Sequence, residues 1–178
     1  FGDGRAIYTS NEKLAKKIRS IANHGMKQKY QYEQIGVNSR LDSLQAAILE
    51  VKLKYFEKHI KARQNAAAFY DEHLANIEEI QIPKRVKYSP HTFHQYTIKT
   101  EKRDELQQFL KTKEIPSMVY YPGVIHLQEA YKFLGYKKGD FPVSELLAET
   151  VLSLPMHPEL TEEQLKYIVM VVKEFYSN

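Results

Sequence analysis

From Arg40 to Leu74 the chain runs without a proline or a glycine and is rich in Leu, Ala, Glu, Lys and Gln, all good helix formers. Leu41, Leu44, Ile48, Val51 and Tyr55 step by 3, 4, 3, 4, which lays one apolar seam along a helix. At 1.5 Å per residue such a helix would reach roughly 50 Å, more than one small domain can cover. It is therefore expected to bridge two domains or two subunits. After Tyr55 the apolar positions drift to Phe56, Ile60, Ala67, Phe69 and Tyr70, which predicts a kink or a change of packing partner there.

Shorter elements flank this stretch. Residues 5–9 read as a strand, followed by a helix with the capping box Thr9-x-x-Glu12 and the stripe Leu14, Ala15, Ile18, Ile21, Ala22. Asn23-His24-Gly25 ends it, with Gly25 suited to a left-handed C-cap. Residues 26–35 have no clean period and read as a loop. Beyond Leu74, residues 77–82 and 93–99 are strand candidates, and Arg103–Lys113 is an amphipathic helix buried through Leu106, Phe109 and Leu110. Pro116–Pro122 is a proline-bracketed strand, His126–Phe133 a short helix, Ser144 to Val151 another, and residues 152–156 are extended. The last helix opens on the capping box Thr161-x-x-Gln164. Strands separated by helices predict a small α/β (α+β) domain with helices on one face of a sheet.

The head of the long helix reads as an anion site. Gly36 frees the backbone, Asn38 or Ser39 can cap the first turn, and Arg40 brings a fork of donors matched to phosphate or carboxylate oxygens. The alternative is an ordinary cap whose arginine pairs with a neighbouring acid. Adjacent tyrosines on a strand point to opposite faces, so only one of Tyr120 and Tyr121 is expected to face a given pocket. His91, His94 and His157 have no metal-ligand spacing, and no metal site is expected. Lys13, Lys16, Lys52, Lys54 and Lys111 fall on amphipathic helix surfaces, where the ammonium stays solvated, so none is expected to act as a Schiff-base lysine.

The formal net charge of +4 is spread along the chain, as on a solvated surface, and does not form a nucleic-acid stripe. No partner among nucleic acids or membranes is expected, for no run of 18 or more apolar residues occurs. The absence of cysteine rules out disulfides and leans toward a cytoplasmic protein.

Several segments, in order and from the first residue to the last, carry a resemblance. They are Phe1-Gly2-Asp3-Gly4-Arg5-Ala6-Ile7, Ala22-Asn23-His24-Gly25, Gly36-Val37-Asn38-Ser39-Arg40, His94-Gln95-Tyr96 and Tyr120-Tyr121-Pro122. Together they resemble the DegT/DnrJ/EryC1/StrS family of pyridoxal 5'-phosphate (PLP)-dependent nucleotide-sugar aminotransferases. The resemblance implies the C-terminal part of a fold type I, aspartate-aminotransferase-like enzyme. Residues 1–40 would be a remnant of the large PLP-binding domain, and residues 41–178 the long inter-domain helix plus the small αβ domain. It also implies that the Schiff-base lysine precedes Phe1, so no catalytic residue is assigned within the chain. Asn38 would reach the PLP phosphate of a neighbouring subunit, and Arg40 the substrate diphosphate. Tyr120, Tyr121 and His126 would lie around the substrate, with Tyr120 standing where the family commonly has histidine. The implied activity is transamination of a nucleotide-linked keto-sugar with glutamate as donor, for surface polysaccharide or amino-sugar biosynthesis. The implied assembly is a homodimer with shared active sites. Two alternatives are a PLP-dependent sugar dehydratase of the same family and a non-catalytic dimerisation or regulatory module.

Overall fold

The computed structural model describes residues 6–177, so the Phe1–Arg5 part of the first motif lies outside the described residues. The chain divides into two compact units, Phe1–Phe56 and Glu57–Asn178.

In the first unit the strand expected over residues 5–9 does not form: residues 6–9 belong to no regular element and pair with no strand among the described residues. Helix α1 spans Glu12–Ala22. Its cap is Asn11, whose side chain accepts the Leu14 N–H at 3.0 Å, while Thr9 Oγ1 accepts the Asn11 N–H at 3.1 Å. The start is thus two residues later than a Thr9 box implies, because asparagine is at least as good a cap as threonine. The apolar stripe of α1 is half-buried at best. Residues 26–35 are not a plain loop: β1 (Met26–Gln28) and β2 (Gln31–Tyr32) form a small antiparallel hairpin. Tyr30 takes the left-handed conformation (φ 65°) that the tight turn needs, a role for which tyrosine gives no sequence signal.

The long helix is two helices, α2 (Ser43–Leu53) and α3 (Phe56–Leu74). Between them the ladder tightens, with the N–H groups of Lys54 and Tyr55 donating to the carbonyls of Val51 and Lys52, three residues back. The break falls where the apolar seam drifts. It separates a helix that buries nothing within this chain from one that buries Ala66, Ala67, Tyr70 and Leu74.

The second unit holds the core. Strands β3 (Tyr96–Lys99) and β4 (Val151–Leu154) pair antiparallel, with Tyr96 opposite Leu154 and Ile98 opposite Leu152. Single bridges extend the sheet on either side, Gln81 to Lys99 and Met118 to Ser153. The strand candidates 77–82 and 116–122 contribute only these contacts. β3 alternates between buried and half-buried residues, as one covered face dictates, but all four residues of β4 are buried, so both its faces are covered. Helices α4 (Arg103–Thr112) and α6 (Glu162–Ser177) close the core through Leu106, Leu110, Leu165, Ile168 and Val172. The Thr161 box forms reciprocally: Gln164 Oε1 accepts the Thr161 N–H at 2.9 Å, and Thr161 Oγ1 accepts the Gln164 N–H at 3.2 Å.

Two polar anchors set this unit's loops. Arg63 of α3 directs one guanidinium nitrogen at the carbonyls of Phe93, His94 and Met156, at 3.1–3.3 Å. Tyr96 is fully buried, and its hydroxyl donates to Asp71 at 2.8 Å, so burial together with that hydrogen bond raises its pKa strongly. The His94-Gln95-Tyr96 motif therefore serves the packing of this unit. Helix α5 (Pro142–Thr150) leads directly into β4, and Arg103 fastens its end by donating to the Ala148 carbonyl at 3.2 Å. Among the described residues no helix is long and apolar enough to cross a membrane, and no group of three His, Cys, Asp or Glu could hold a metal ion.

Candidate active-site residues

The first unit builds its site at the end of α1. His24 and Gly25 both adopt positive φ (60° and 78°), which turns the chain back along the segment 33–39. The Val37 and Ser39 N–H groups donate to Ile21 O (2.8 Å) and Ala22 O (2.9 Å), carbonyls that the helix end leaves open. The His24 N–H donates to Val37 O at 3.0 Å. This lacing brings Gly36 against Gly25. A β-carbon at Gly36 would meet the Gly25 nitrogen and lie 2.6 Å from Ile21 O, and one at Gly25 would run into the carbonyl oxygen of Gln34. Two glycines are required because the two backbones touch.

Asn38 and Arg40 are thereby held at the rim of the turn, with the Arg40 Nε donating to Asn38 Oδ1 at 3.0 Å. That contact leaves the Asn38 amide N–H₂ and the terminal guanidinium nitrogens of Arg40 as outward donors. Neither residue caps a helix. Helix α2 begins at Ser43 behind Asp42, whose side chain makes no cap hydrogen bond, so the expected capping by Asn38 or Ser39 is not realised. The Asn38 side-chain oxygen accepts from Arg40, and the backbone N–H groups of the segment serve the carbonyls at the end of α1. Arg40 borders a cavity of about 1160 Å³ lined also by Lys16, Lys17, Arg19, Lys27, Asn23, Gln34 and Glu33. Lys16 pairs with Glu12 (3.0 Å) and Lys27 with Glu33 (2.8 Å), while among the described residues Lys17, Arg19 and Arg40 pair with no carboxylate. The alternative of an arginine neutralised by a neighbouring acid therefore finds no support among them. This donor set fits a phosphate or diphosphate.

The second unit carries a cavity of about 520 Å³ lined by Tyr120, Tyr121, His126, Tyr131, Tyr136, Phe141 and aliphatic side chains. Both tyrosines line it. The expectation that only one could do so fails because the chain leaves the sheet after the single Met118 bridge, and alternation holds only within a ladder. The predicted helix over His126–Phe133 is two 3₁₀ turns, Ile125–Leu127 and Glu129–Leu134. His126 sits in the first, with its side chain 9% exposed and Nε2 2.9 Å from Glu145 Oε1. Phe141 packs over the imidazole with ring centroids 4.8 Å apart, and Tyr136 meets Phe141 edge-on.

Glu145 is the residue that sequence reasoning missed. It lies in the first turn of α5 behind Pro142, and its carboxylate accepts the Gly139 N–H on both oxygens at 2.9 Å and the Phe141 N–H at 3.4 Å. Burial alone would raise its pKa, but these two N–H donors and His126 outweigh that effect and hold it below the usual glutamate value. The available signal was an acid in the first turn after a proline, a helix-start signature. Its pairing with a histidine 19 residues away is a tertiary fact.

The structure thus brings Asn38 to Arg40 in one unit, and Tyr120, Tyr121 and His126 together in the other. Against known proteins, the model of the DegT/DnrJ/EryC1/StrS aminotransferase family matches residues 1–173. The chain belongs to this family. Over 178 residues it is 48% identical to the pleiotropic regulatory protein of Geobacillus stearothermophilus, covering 99% of this chain and 48% of that one. Over 168 residues it is 41% identical to the UDP-2-acetamido-2-deoxy-3-oxo-D-glucuronate aminotransferase of Pseudomonas aeruginosa, covering 94% and 46%. The crystal structure of Streptomyces venezuelae DesV in complex with a ketimine intermediate superposes with a TM-score of 0.91 at 35% identity, over 96% of this chain and 46% of that one. The chain therefore spans about half the length of the relatives it matches, and it represents the C-terminal part of a PLP fold type I enzyme. The family is PLP-dependent. Asn38, whose amide N–H₂ is left to donate beside Arg40, fits the phosphate of that cofactor.

Proposed function

We infer that the full-length protein transfers an amino group from glutamate to a nucleotide-linked keto-sugar, as a homodimer with shared active sites. The observation that carries this reading is Arg40, hydrogen-bonded to Asn38, on a cavity where it, Lys17 and Arg19 pair with no carboxylate among the described residues. In it, Asn38 holds the PLP phosphate across the dimer and Arg40 the substrate diphosphate, while Tyr120, Tyr121 and His126 receive the substrate in the second cavity. PLP, when bound, supplies the electron sink for the amino transfer. This chain supplies hydrogen bonds, charge and an aromatic enclosure. The P. aeruginosa relative acts on a 3-oxo-glucuronate, which supports a 3-keto sugar and a role in surface polysaccharide or amino-sugar synthesis. A cytoplasmic location is part of the same reading, in keeping with a chain that has no cysteine.

The test uses the full-length protein with glutamate and UDP- or dTDP-linked 3-keto sugars. Arg40→Ala should raise the KM for the sugar nucleotide at least about tenfold and leave the glutamate half-reaction little changed, because only the first needs the diphosphate contact. Equal damage to both half-reactions, or to neither, would assign Arg40 to the packing of the turn. A second reading, a regulatory module without catalysis, is favoured by the name of the G. stearothermophilus relative alone. Turnover with any nucleotide keto-sugar excludes it.

A further inference from the structure

The 520 Å³ cavity differs from the first in one chemical respect. Among the described residues its lining contains no lysine and no arginine. Its polar atoms are tyrosine hydroxyls, one serine and the imidazole of His126, set among Tyr131, Tyr136, Phe141 and aliphatic side chains. Such a lining suits a neutral, hydroxyl-bearing ring with apolar C–H faces better than a phosphate.

The state of the imidazole follows from what holds it. A carboxylate only accepts hydrogen bonds, so Nε2, 2.9 Å from Glu145 Oε1, carries a proton. In the neutral ring Nδ1 is then bare and acts as an acceptor. The carboxylate is held in place because its oxygens also take the Gly139 and Phe141 N–H groups, and the Phe141 ring packs against the imidazole at a tilt of 56°. Its side chain is 12% exposed, so water competes weakly for these contacts. We propose that Glu145 is a positioning residue for His126, fixing the Nε2–H tautomer so that Nδ1 accepts a hydrogen bond from a hydroxyl of the sugar moiety. This rests on the reading of the cavity as part of the sugar-nucleotide site. It goes further in assigning the cavity the sugar and not the diphosphate, and in naming the residue that sets the polarity of the contact.

Two measurements on the full-length protein test it. Ring nitrogen-15 shifts of histidine-labelled protein at pH 8, with His126 assigned by its loss in His126→Gln, should show a protonated Nε2 and a bare Nδ1 in the wild type. A protonated Nδ1 with a bare Nε2 would overturn the proposal without any variant at Glu145. The second measurement is calorimetric binding of UDP-N-acetylglucosamine and dTDP-glucose beside UDP and dTDP. In Glu145→Gln the amide can keep its oxygen on the backbone donors and offer N–H₂ to Nε2, which inverts the tautomer. Affinity for the nucleotide sugar should then fall at least tenfold, with the matching nucleoside diphosphate bound as before and the melting temperature checked for folding. Equal loss for sugar and diphosphate, or no loss for either, overturns the positioning role. If Tyr121→Ala still weakens nucleotide-sugar binding in that case, the cavity remains a substrate site. If neither Tyr121→Ala nor His126→Ala changes it, the substrate reading itself falls.

Discussion

Among the described residues of the first unit, residues 6–56, Gly25 alone is buried, whereas the second unit owns a continuous core running from Ala66 to Val172. Their cavities differ in chemistry: one is cationic, the other aromatic and without a lysine or arginine among the described residues. The second unit has a core of its own, and its cavity is lined by residues outside that core. The first displays Leu14, Leu41, Leu44 and Val51 to solvent, and what orders it locally is backbone lacing between α1 and the 33–39 segment. Under the proposed homodimer, those exposed residues are where the rest of the protein or the partner subunit would pack. An apolar seam without cover among the described residues is a surface for further packing.

The sharpest way to break this contrast is to cut into each unit. Leu106 is fully buried, and Leu106→Ala should cost about 2–5 kcal/mol in urea unfolding of the 178-residue chain. Leu44 is 76% exposed, and Leu44→Ala should cost no more than about 0.5 kcal/mol there. In the full-length protein Leu44→Ala should instead shift the monomer–dimer balance, read by light scattering. Similar costs for both substitutions in the short chain would mean that α2 is covered within it.

Much of the fold was legible because local signals and burial agree in the second unit. The Thr161 box and the Leu106–Leu110 spacing became what their patterns predict, while the extended piece expected over 152–156 is a strand that starts one residue earlier, at Val151. The break in the long helix was announced by the drift at Tyr55, although no glycine or proline marks it. Legibility failed where backbone met backbone. The β1–β2 hairpin turns on a tyrosine at positive φ, and the Gly36 segment caps no helix N-terminus because Asn38 Oδ1 accepts from Arg40 and α2 begins only at Ser43. Of the candidate site, Arg40 was readable from its chemistry and its setting, and His126 from its resemblance to the family pattern. Glu145 was invisible because its meaning lies in three partners, two of them backbone groups of a loop.

A smaller effect sharpens the functional side of the comparison. If the cationic unit serves a phosphate through Asn38, then Asn38→Ala in the full-length protein should weaken PLP retention by about 1–3 kcal/mol, the cost of leaving one polar contact unsatisfied. Dialysis against PLP-free buffer, followed by cofactor absorbance, measures it. The same measurement on Tyr121→Ala should show no loss, since the aromatic cavity is assigned to the substrate. Loss of PLP in both variants would mean that the division of labour between the units is drawn in the wrong place.

The smallest effect separates the units by pH. In the first, the Glu33 hydrogen bond and then its charge raise the pKa of Lys27. A raised folded pKa means that the folded state holds its proton more tightly than the unfolded one. The Lys27 contribution is therefore complete below the ordinary 10.5 and fades as pH climbs through the higher folded value. In the second unit Glu145 behaves oppositely. Its folded pKa lies below the ordinary 4.5, because the donors from Gly139, Phe141 and His126 overcome the cost of burial. Between the two values the unfolded state binds more protons, so stability rises with pH. The Glu145 contribution is complete above 4.5 and fades as pH falls through the lower folded value. Denaturant unfolding of the wild type, Lys27→Gln and Glu145→Gln should then give difference curves that close at opposite ends of the pH scale. The alkaline closure should be the fainter, since Lys27 and Glu33 are solvent-exposed at 64% and 58% and water screens the pair. It should also shrink further in high salt, whereas the acid closure, built on backbone donors around a carboxylate with 12% of its side chain exposed, should persist. An acid closure that salt abolishes would make Glu145 an ordinary surface charge and remove the electrostatic distinction between the two cavities.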